Sequence, residues 1–424
     1  MTSLLVRATT RRHARLRGPT CALLAALLAV GWLAACSVGG PQQQTVTLVS
    51  IFPTSGADGD VGQSMARAVD LAVKQNAALG GSYTLTATHV DESSVTVGPD
   101  TSQAIANAQV MGVVGPLSSA TAVTTLPALA QAGVVTISPM ATLPGLTQSD
   151  QASADGLNFG QLHPQGKPIT FFRLTANDNA IGSAAADLAL AAPSAHGLGS
   201  QSVFVVDDGT ASGKAQSAAF QAELKARHGT VAGTHSLTLG DEVSVQMTTS
   251  AIVDAQPDSV FYAGSADGAA DLRRTLTQTG APSLPLLTTG AAADDPDWGD
   301  ALGNPLFAAN TTGMLPAQDL SKLPGAQAFQ TAYQSAYAGA TVTPEAALAY
   351  DAAMIEIRAI KGLIAANKTP TRAAVMAAVA TTKYAGVTGA IAFDKQGDPT
   401  PPPPFAIYTC DAKGAWTYQA SVGG

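Results

Sequence analysis

Short apolar runs alternate with segments of helical periodicity from residue 45 onwards, and this alternation restricts the fold more than any other feature of the chain. Thr45–Ile51 and Tyr83–Val90 have the pattern of strands, and Val61–Leu79 places apolar residues at helical spacing between them. The pattern restarts at Ser202–Asp207, after an interruption near residues 145–180. Strands that alternate with helices of about 10–15 residues predict parallel sheets with helices on both faces. The two runs therefore predict an α/β protein with two similar lobes.

The same reasoning predicts the remaining elements. Helices are predicted over residues 100–108, 119–132, 213–227 and 269–279. Further strands are predicted at Val110–Val114, Val134–Ser138, Ile169–Leu174, Ser259–Ala263 and Phe405–Thr409. Residues 145–168 are rich in Gly, Ser, Asp and Gln and predict a long loop, which is usually functional or mobile. A position at the rim of a pocket is one interpretation of this loop.

The N-terminus has the pattern of an export signal. Five arginines and no acidic residue precede an almost wholly apolar run at residues 21–35, which is shorter than the roughly 20 residues that a spanning helix needs. The run ends in Leu33-Ala34-Ala35-Cys36, which resembles the lipobox of bacterial lipoproteins. This resemblance implies that residues 1–35 are a signal peptide, that Cys36 carries lipid, and that residues 36–44 are a tether. The alternative is an uncleaved N-terminal anchor.

Charge and cysteine content narrow the function further. Residues 36–424 retain 17 basic groups against 30 acidic groups, which gives a net charge of −13 and argues against binding to nucleic acid. The third cysteine, Cys410, has no partner for an internal disulfide once Cys36 is lipidated and Cys21 is removed with the leader. We therefore expect an extracytoplasmic domain on the bacterial cell membrane, stabilised by packing.

Catalytic, cofactor and metal motifs are not evident in the sequence. Gly209–Lys214 has the wrong spacing for a phosphate loop, and the six histidines are scattered without metal-ligand spacing. Asp91-Glu92 and Asp207-Asp208 follow predicted strands, where acidic residues more often cap helices or hold loops than act as acid–base pairs. The sequence predicts no enzyme activity and no cofactor.

Two neighbouring strand ends are suited to binding a zwitterion. Ser118 and Ser119 follow one buried strand and open a helix, whose free N–H groups attract anions. Met140, Ala141 and Thr142 follow the next strand and offer carbonyl and hydroxyl oxygens. In open α/β sheets, ligands bind beyond the carboxyl ends of the strands. Each hydroxyl alone could be a simple helix cap, but together they favour a ligand site.

An ordered set of motifs resembles the type I periplasmic binding proteins, specifically the branched-chain amino-acid (leucine/isoleucine/valine) binding group of ABC transporters in lipoprotein form. The motifs are Ile51–Gly56, Gly80-Gly81, Val113–Ser119, Gly133–Pro139, Phe172–Leu174, Asp207-Asp208, Gly213-Lys214, Ala349–Ala352, Gly386–Gly389 and Phe393-Asp394. The resemblance implies two Rossmann-like lobes with parallel sheets, joined by three crossover strands near residues 174–180, 312–317 and 388–400. It places the N-terminal lobe at 45–175 and 317–393, and the C-terminal lobe at 176–316 and 394–424.

The resemblance also assigns roles in the predicted site. Ser119 and the following helix N-terminus, which includes Ala120, would hold a ligand carboxylate. The carbonyl of Met140 and the hydroxyl of Thr142 would hold the ammonium group.

The second lobe departs from the family at three positions. Ser212 and Ser265 stand where relatives usually place aromatic rings, each worth roughly 150–250 Å² of contact area. The usual acidic residue falls near Ala292, with Asp294 and Asp295 the nearest replacements. Either Trp298 or the 145–168 loop refills this space, or the ligand differs from a branched-chain amino acid.

The resemblance implies a monomeric, lipid-anchored solute-binding protein of an ABC importer. Its partners would be a small amino acid or related polar carboxylate and a membrane permease. One alternative is a ligand-sensing lipoprotein that signals to a membrane receptor. Another is an exported hydrolase that uses Ser119 or a paired acid.

Overall fold

Two large sheets organise the part of the chain described by the structure, a computed structural model that covers residues 43–56, 58–290 and 298–423. Residues from 44 onwards form one compact unit. The predicted signal peptide, Cys36 and most of the tether lie outside the described residues.

The strands are numbered in chain order. They are β1 Gln44–Phe52, β2 Ala78–Gly80, β3 Tyr83–Asp91, β4 Val110–Val114, β5 Val135–Ser138, β6 Phe171–Arg173, β7 Ser202–Asp207, β8 Thr230–Ser236, β9 Ser259–Ala263, β10 Leu286–Thr289, β11 Thr311–Leu315, β12 Lys383–Gly386, β13 Gly389–Ala392, β14 Phe405–Cys410 and β15 Trp416–Val422.

The described helices follow the same convention. They are α1 Gly59–Gln75, α2 Val97–Ala106, α3 Ser119–Ala132, α4 Ser149–Ala152, α5 Phe159–Leu162, α6 Asp178–Leu190, α7 Ala211–Ala226, α8 Glu242–Ala255, α9 Ala266–Gln278, α10 Trp298–Ala301, α11 Ala326–Ala336, α12 Pro344–Ala365 and α13 Arg372–Ala380. None of these helices is long and apolar enough to cross a membrane.

The first lobe is built on a sheet in the order β2–β3–β1–β4–β5–β6, which is parallel except between β2 and β3. Because side chains alternate between the faces of a strand, β1 sends Leu48 to one face and Val49 to the other. Helices α1, α12 and α13 cover the Leu48 face, and α2, α3 and α5 cover the Val49 face. This arrangement explains the long buried runs that the sequence shows in its central strands.

The second lobe repeats the plan with the order β15–β14–β11–β10–β9–β7–β8. Its strands are parallel from β8 to β11, whereas β14 and β15 add an antiparallel edge. Helices α8 and α9 pack on the face that carries Phe204, and α6 and α7 pack on the face that carries Val205. The predicted two-lobed α/β fold is confirmed.

Three connections join the two sheets, after β6, after β11 and after β13, and they are bonded to one another. The Thr175 hydroxyl of the first connection donates to the carbonyl of Pro316 in the second at 2.9 Å. Arg173 Nε lies 2.7 Å from Asp398 Oδ1 in the third. The Arg173 amide also donates to the Gly397 carbonyl at 3.0 Å. These contacts fasten the three connections to one another at the end of β6.

Two segments differ from the sequence prediction. The first long helix ends at Gln75 rather than Leu79, because residues 78–80 form β2 and pair with β3. The 145–168 segment contains the short helices α4 and α5, and its Leu146 and Leu162 are buried in the first-lobe core. The side chains of Thr147 and Gln148 donate to Asp398 at 2.9 and 3.1 Å, which attaches this segment to the third connection.

Candidate functional site

The beginning of α3 forms one side of the predicted ligand corner. Ser118 is the N-cap, and its hydroxyl oxygen accepts the amide N–H of Thr121 at 3.2 Å. The amides of Ser119 and Ala120, the first two of the helix, make no hydrogen bond within the described residues. Such free amides at a helix start are suited to a carboxylate.

A carboxylate of the chain itself lies beside these amides. Glu92 follows β3, and its two oxygens accept the amides of Leu117 and Ser118 at 2.7 and 2.8 Å. Burial raises the pKa of Glu92, and the hydroxyls and amides around it act in the opposite direction. The structure agrees with the expectation that this strand-end acid holds a loop. It also places a negative charge one residue from the predicted anion site, which the sequence did not predict.

Ser119 joins the two strand ends and the second lobe. Its Oγ accepts the amides of Thr142 and Leu143, both at 3.0 Å, and therefore keeps its own proton for donation. The hydroxyl of Ser212, in the first turn of α7, lies 3.4 Å away. The structure thus brings together three predicted site residues, Ser119, Thr142 and Ser212. In this state the chain's own atoms occupy the corner.

Ser138 at the end of β5 shapes the neighbouring loop. Its hydroxyl donates to the Pro116 carbonyl at 2.7 Å and accepts the amides of Met140 at 3.3 Å and Ala141 at 2.8 Å. The Ala141 carbonyl accepts Arg173 Nη1 at 3.0 Å, which uses one of its two lone pairs. The Met140 carbonyl makes no hydrogen bond within the described part of the chain.

Asp178 is the residue at this corner that the sequence prediction missed. It begins α6, and its Oδ1 accepts Gln216 Nε2 at 2.8 Å. Its other oxygen, Oδ2, is buried without a hydrogen bond of normal geometry. Burial raises the pKa of Asp178 to about 6, whereas the nearby hydroxyls of Thr142 and Ser212 act to lower it. An isolated buried carboxylate oxygen is costly unless a donor reaches it.

Other predicted site residues lie apart from this corner or outside the described residues. Ser265 caps α9 by accepting the amide of Gly268 at 3.2 Å, and no described contact joins it to Ser119. Ala292 and Asp294 lie outside the described residues. Trp298 is wholly buried in the second-lobe core and packs on Trp416, with ring centroids 5.6 Å apart. The suggestion that Trp298 refills the ligand space is therefore wrong, because its ring is used by that core.

A pocket of about 240 Å³ adjoins the start of α3. Its polar lining comes from the loops after β1 and β3 and from α3: Ser55, Asp58, Glu92, Ser93, Ser118 and Thr121. Surrounding protein and the charge of Asp267, in the first turn of α9, raise the pKa of Asp58. Asp267 belongs to the second lobe, so the pocket lies where the lobes approach each other. The described residues contain no group of three or more His, Cys, Asp or Glu side chains arranged to hold a metal ion.

The family model described as "Periplasmic binding protein" matches residues 45–415. The chain belongs to this family. Its fold resembles that of the branched-chain amino acid transporter substrate-binding protein LivJ from Streptococcus pneumoniae, solved in complex with isoleucine. That likeness has a TM-score of 0.71 at 21% identity and covers 89% of this chain and 99% of that one.

Two further solved structures are similar in fold. The leucine-binding protein LivK from Thermotoga maritima has a TM-score of 0.73 at 20% identity, covering 89% of this chain and 98% of that one. A solute-binding protein from R. palustris in complex with benzoate has a TM-score of 0.68 at 21% identity, covering 89% and 96%. No curated protein sequence matches the chain.

Proposed function

We propose that this protein is a lipid-anchored, extracytoplasmic solute-binding protein of an ABC importer, which captures a small amino acid or a related polar carboxylate between its lobes. The family and the ligands named for the structural relatives support this proposal. The observation that carries it is the 3.4 Å distance between Ser119 of the first lobe and Ser212 of the second. A solute held at this corner contacts both lobes at once.

The corner offers complementary groups for an amino acid. The amides of Ser119 and Ala120 and the Ser119 hydroxyl are donors for a carboxylate. The Met140 carbonyl, the Thr142 hydroxyl and Asp178 Oδ2 are acceptors for an ammonium group. Asp178 takes the role that the sequence comparison assigned to an acid near residue 292.

Binding requires the lobes to separate first, because a guest must enter between Ser119 and Ser212. The solute then stabilises the closed form by its greater affinity for that form, and closure is the signal that a permease can recognise. Hydrolysis is not part of this proposal. Ser119 Oγ accepts two backbone amides, and no histidine is among its hydrogen-bond partners in the described residues.

Isothermal titration against amino acids, short amides and small carboxylates tests the binding function. Ser119→Ala should weaken binding of the best ligand about tenfold or more, because a hydrogen bond to a charged group is lost. Ser102→Ala, on the exposed surface of α2, is the matched control and should bind like the parent. Absence of binding across the whole panel would contradict the proposal.

The lipid anchor has its own test. The parent expressed in a bacterial host should be found in the membrane fraction, with a mature N-terminus at Cys36 that carries lipid mass. Cys36→Ser should be released from that fraction and should retain ligand binding. An intact, unlipidated N-terminus in mass spectrometry would refute the anchor without affecting the binding proposal.

A further inference from the structure

The charges around the ligand corner restrict which solute it can take. Glu92 and Asp58 line the 240 Å³ pocket beside α3, and Asp178 lies at the corner itself. Asp267 of the second lobe is close enough to act on the charge of Asp58. Both lobes therefore contribute carboxylates to the same region.

These carboxylates are hydrogen-bonded mainly to uncharged groups. Glu92 accepts two backbone amides, and Asp178 accepts the side-chain amide of Gln216. Arg173 is the cation that acts on Asp178, but its Nε is already paired with Asp398 at 2.7 Å. The region thus retains negative charge that a bound cation would compensate.

Asp178 gives an independent indication of a missing donor. Its side chain is fully buried at the junction of the lobes, and its Oδ2 makes no hydrogen bond of normal geometry. Buried polar atoms in folded proteins almost always have a partner. A guest with N–H groups at the corner supplies one.

We infer that the captured solute is basic, an amino acid or amine whose cationic N–H groups outnumber its carboxylates, with one cationic end in the pocket lined by Asp58 and Glu92. This inference rests on the proposed binding function. A carboxylate, if present, is held by the Ser119 and Ala120 amides, and an ammonium group by Asp178. The pocket beside Ser118 then receives the second cationic group, where the hydroxyls of Ser55 and Thr121 add acceptors.

The same arrangement disfavours a simple anion. Glu92 already occupies the amides of Leu117 and Ser118, so a guest carboxylate has only the next two amides of α3. It would also lie beside the Glu92 charge, which repels it. A benzoate-like solute offers no positive group to offset that repulsion.

Titration calorimetry with matched solutes tests the inference on the intact chain. Arginine, lysine and agmatine are compared with citrulline, leucine and benzoate, where citrulline keeps the shape of arginine without its charge. We expect at least one basic solute to bind about tenfold or more tightly than the neutral and anionic ones. We also expect its affinity to fall as salt concentration rises.

Two variants test whether the preference for a basic solute depends on the carboxylates of the pocket. Asp58→Asn, at the exposed mouth of the pocket, should weaken the basic solute about tenfold, and Glu92→Gln should act in the same direction. Asp60→Asn, an exposed neighbour outside the pocket lining, is the matched control and should bind like the parent. Circular dichroism checks the fold of each variant, and Asp58→Asn keeps the test decisive if Glu92→Gln does not fold.

The outcomes separate the two proposals. Tighter binding of leucine, citrulline or benzoate than of every basic solute overturns this inference and leaves the solute-binding function standing. An unchanged affinity of the basic solute in Asp58→Asn also overturns it. If no solute of the panel binds, the proposed function is overturned, and this inference is overturned with it.

Discussion

Asp178→Asn should make the folded protein more stable at neutral pH while weakening its ligand binding. Burial raises the pKa of Asp178 from the ordinary value of 3.8 to about 6, so ionisation is unfavourable in the folded state. That difference corresponds to about 3 kcal/mol. This loss of folding free energy is absent at pH values below the pKa of Asp178 in the unfolded chain. It grows as pH rises from about 4 to about 6, and it is complete above the pKa of Asp178 in the folded protein. The parent should therefore lose stability over this interval.

The Asp178→Asn variant does not lose stability over this pH interval, because its side-chain amide cannot ionise. Its carbonyl oxygen can still accept the side chain of Gln216, and its amide replaces an oxygen that makes no hydrogen bond of normal geometry. Urea unfolding at about pH 4 and about pH 7.5 measures the effect. The stability difference between variant and parent should be up to about 3 kcal/mol larger at the higher pH.

Comparison with the parent isolates Asp178, because burial also raises the pKa of Glu345 and Glu356. Asp150→Asn, on the exposed side of α4, is the control and should show the same difference at both pH values. An Asp178→Asn variant whose stability relative to the parent is independent of pH would refute the reasoning. The same variant should bind an amino-bearing ligand about tenfold or more weakly at pH 7.5.

Three further substitutions test the surrounding structure by urea or thermal unfolding. Arg173→Met should lower the free energy of unfolding by about 3–5 kcal/mol, because Asp398 is left without its ion pair; a change below about 1 kcal/mol would contradict this. Ser138→Ala should cost about 1–3 kcal/mol, since one carbonyl and two amides lose their partner, and an unchanged melting temperature would contradict it. Gly112→Ala should cost about 1–3 kcal/mol, because its added carbon meets the buried carboxylate of Glu356. Glu356→Ala in the same chain should recover part of that loss, and strict additivity of the two would argue against the contact.

The fold was predictable where a strand is buried on both faces. Val110–Val114 and the interior of Ser202–Asp207 lack polar residues, and the structure has both strands with the predicted bounds. The edge strand Thr230–Ser236 was not predicted, because an edge position requires few apolar residues and this strand has few. The end of α1 was misplaced because pairing of residues 78–80 with β3 overrides the local helical pattern.

Of the candidate site, only the residues at the carboxyl ends of the strands were predictable, because the order of the sheet determines their position. Ser119 and Thr142 were predicted to be neighbours because the carboxyl ends of adjacent parallel strands meet at one edge. Asp178 comes from the start of a helix in the other lobe, and its sequence context is equally typical of a simple cap. The hydrogen bonds of Glu92 to the amides of Leu117 and Ser118, just before α3, were also beyond sequence reasoning, since they depend on the exact path of the loop after β3.

The bonds that Arg173 and Thr175 make affect how the two lobes can move relative to each other. They fasten the three interlobe connections together beside β6, and Arg173 also bonds the carbonyls of Ala141 and Leu143. Connections that are bonded to one another restrict the movement of the lobes more than independent connections would. The loop after β5, which carries Met140 and Thr142, is attached to the same connections by these two carbonyls. A change in the position of one lobe relative to the other therefore acts on this loop as well, through the bonds of Arg173 to its carbonyls.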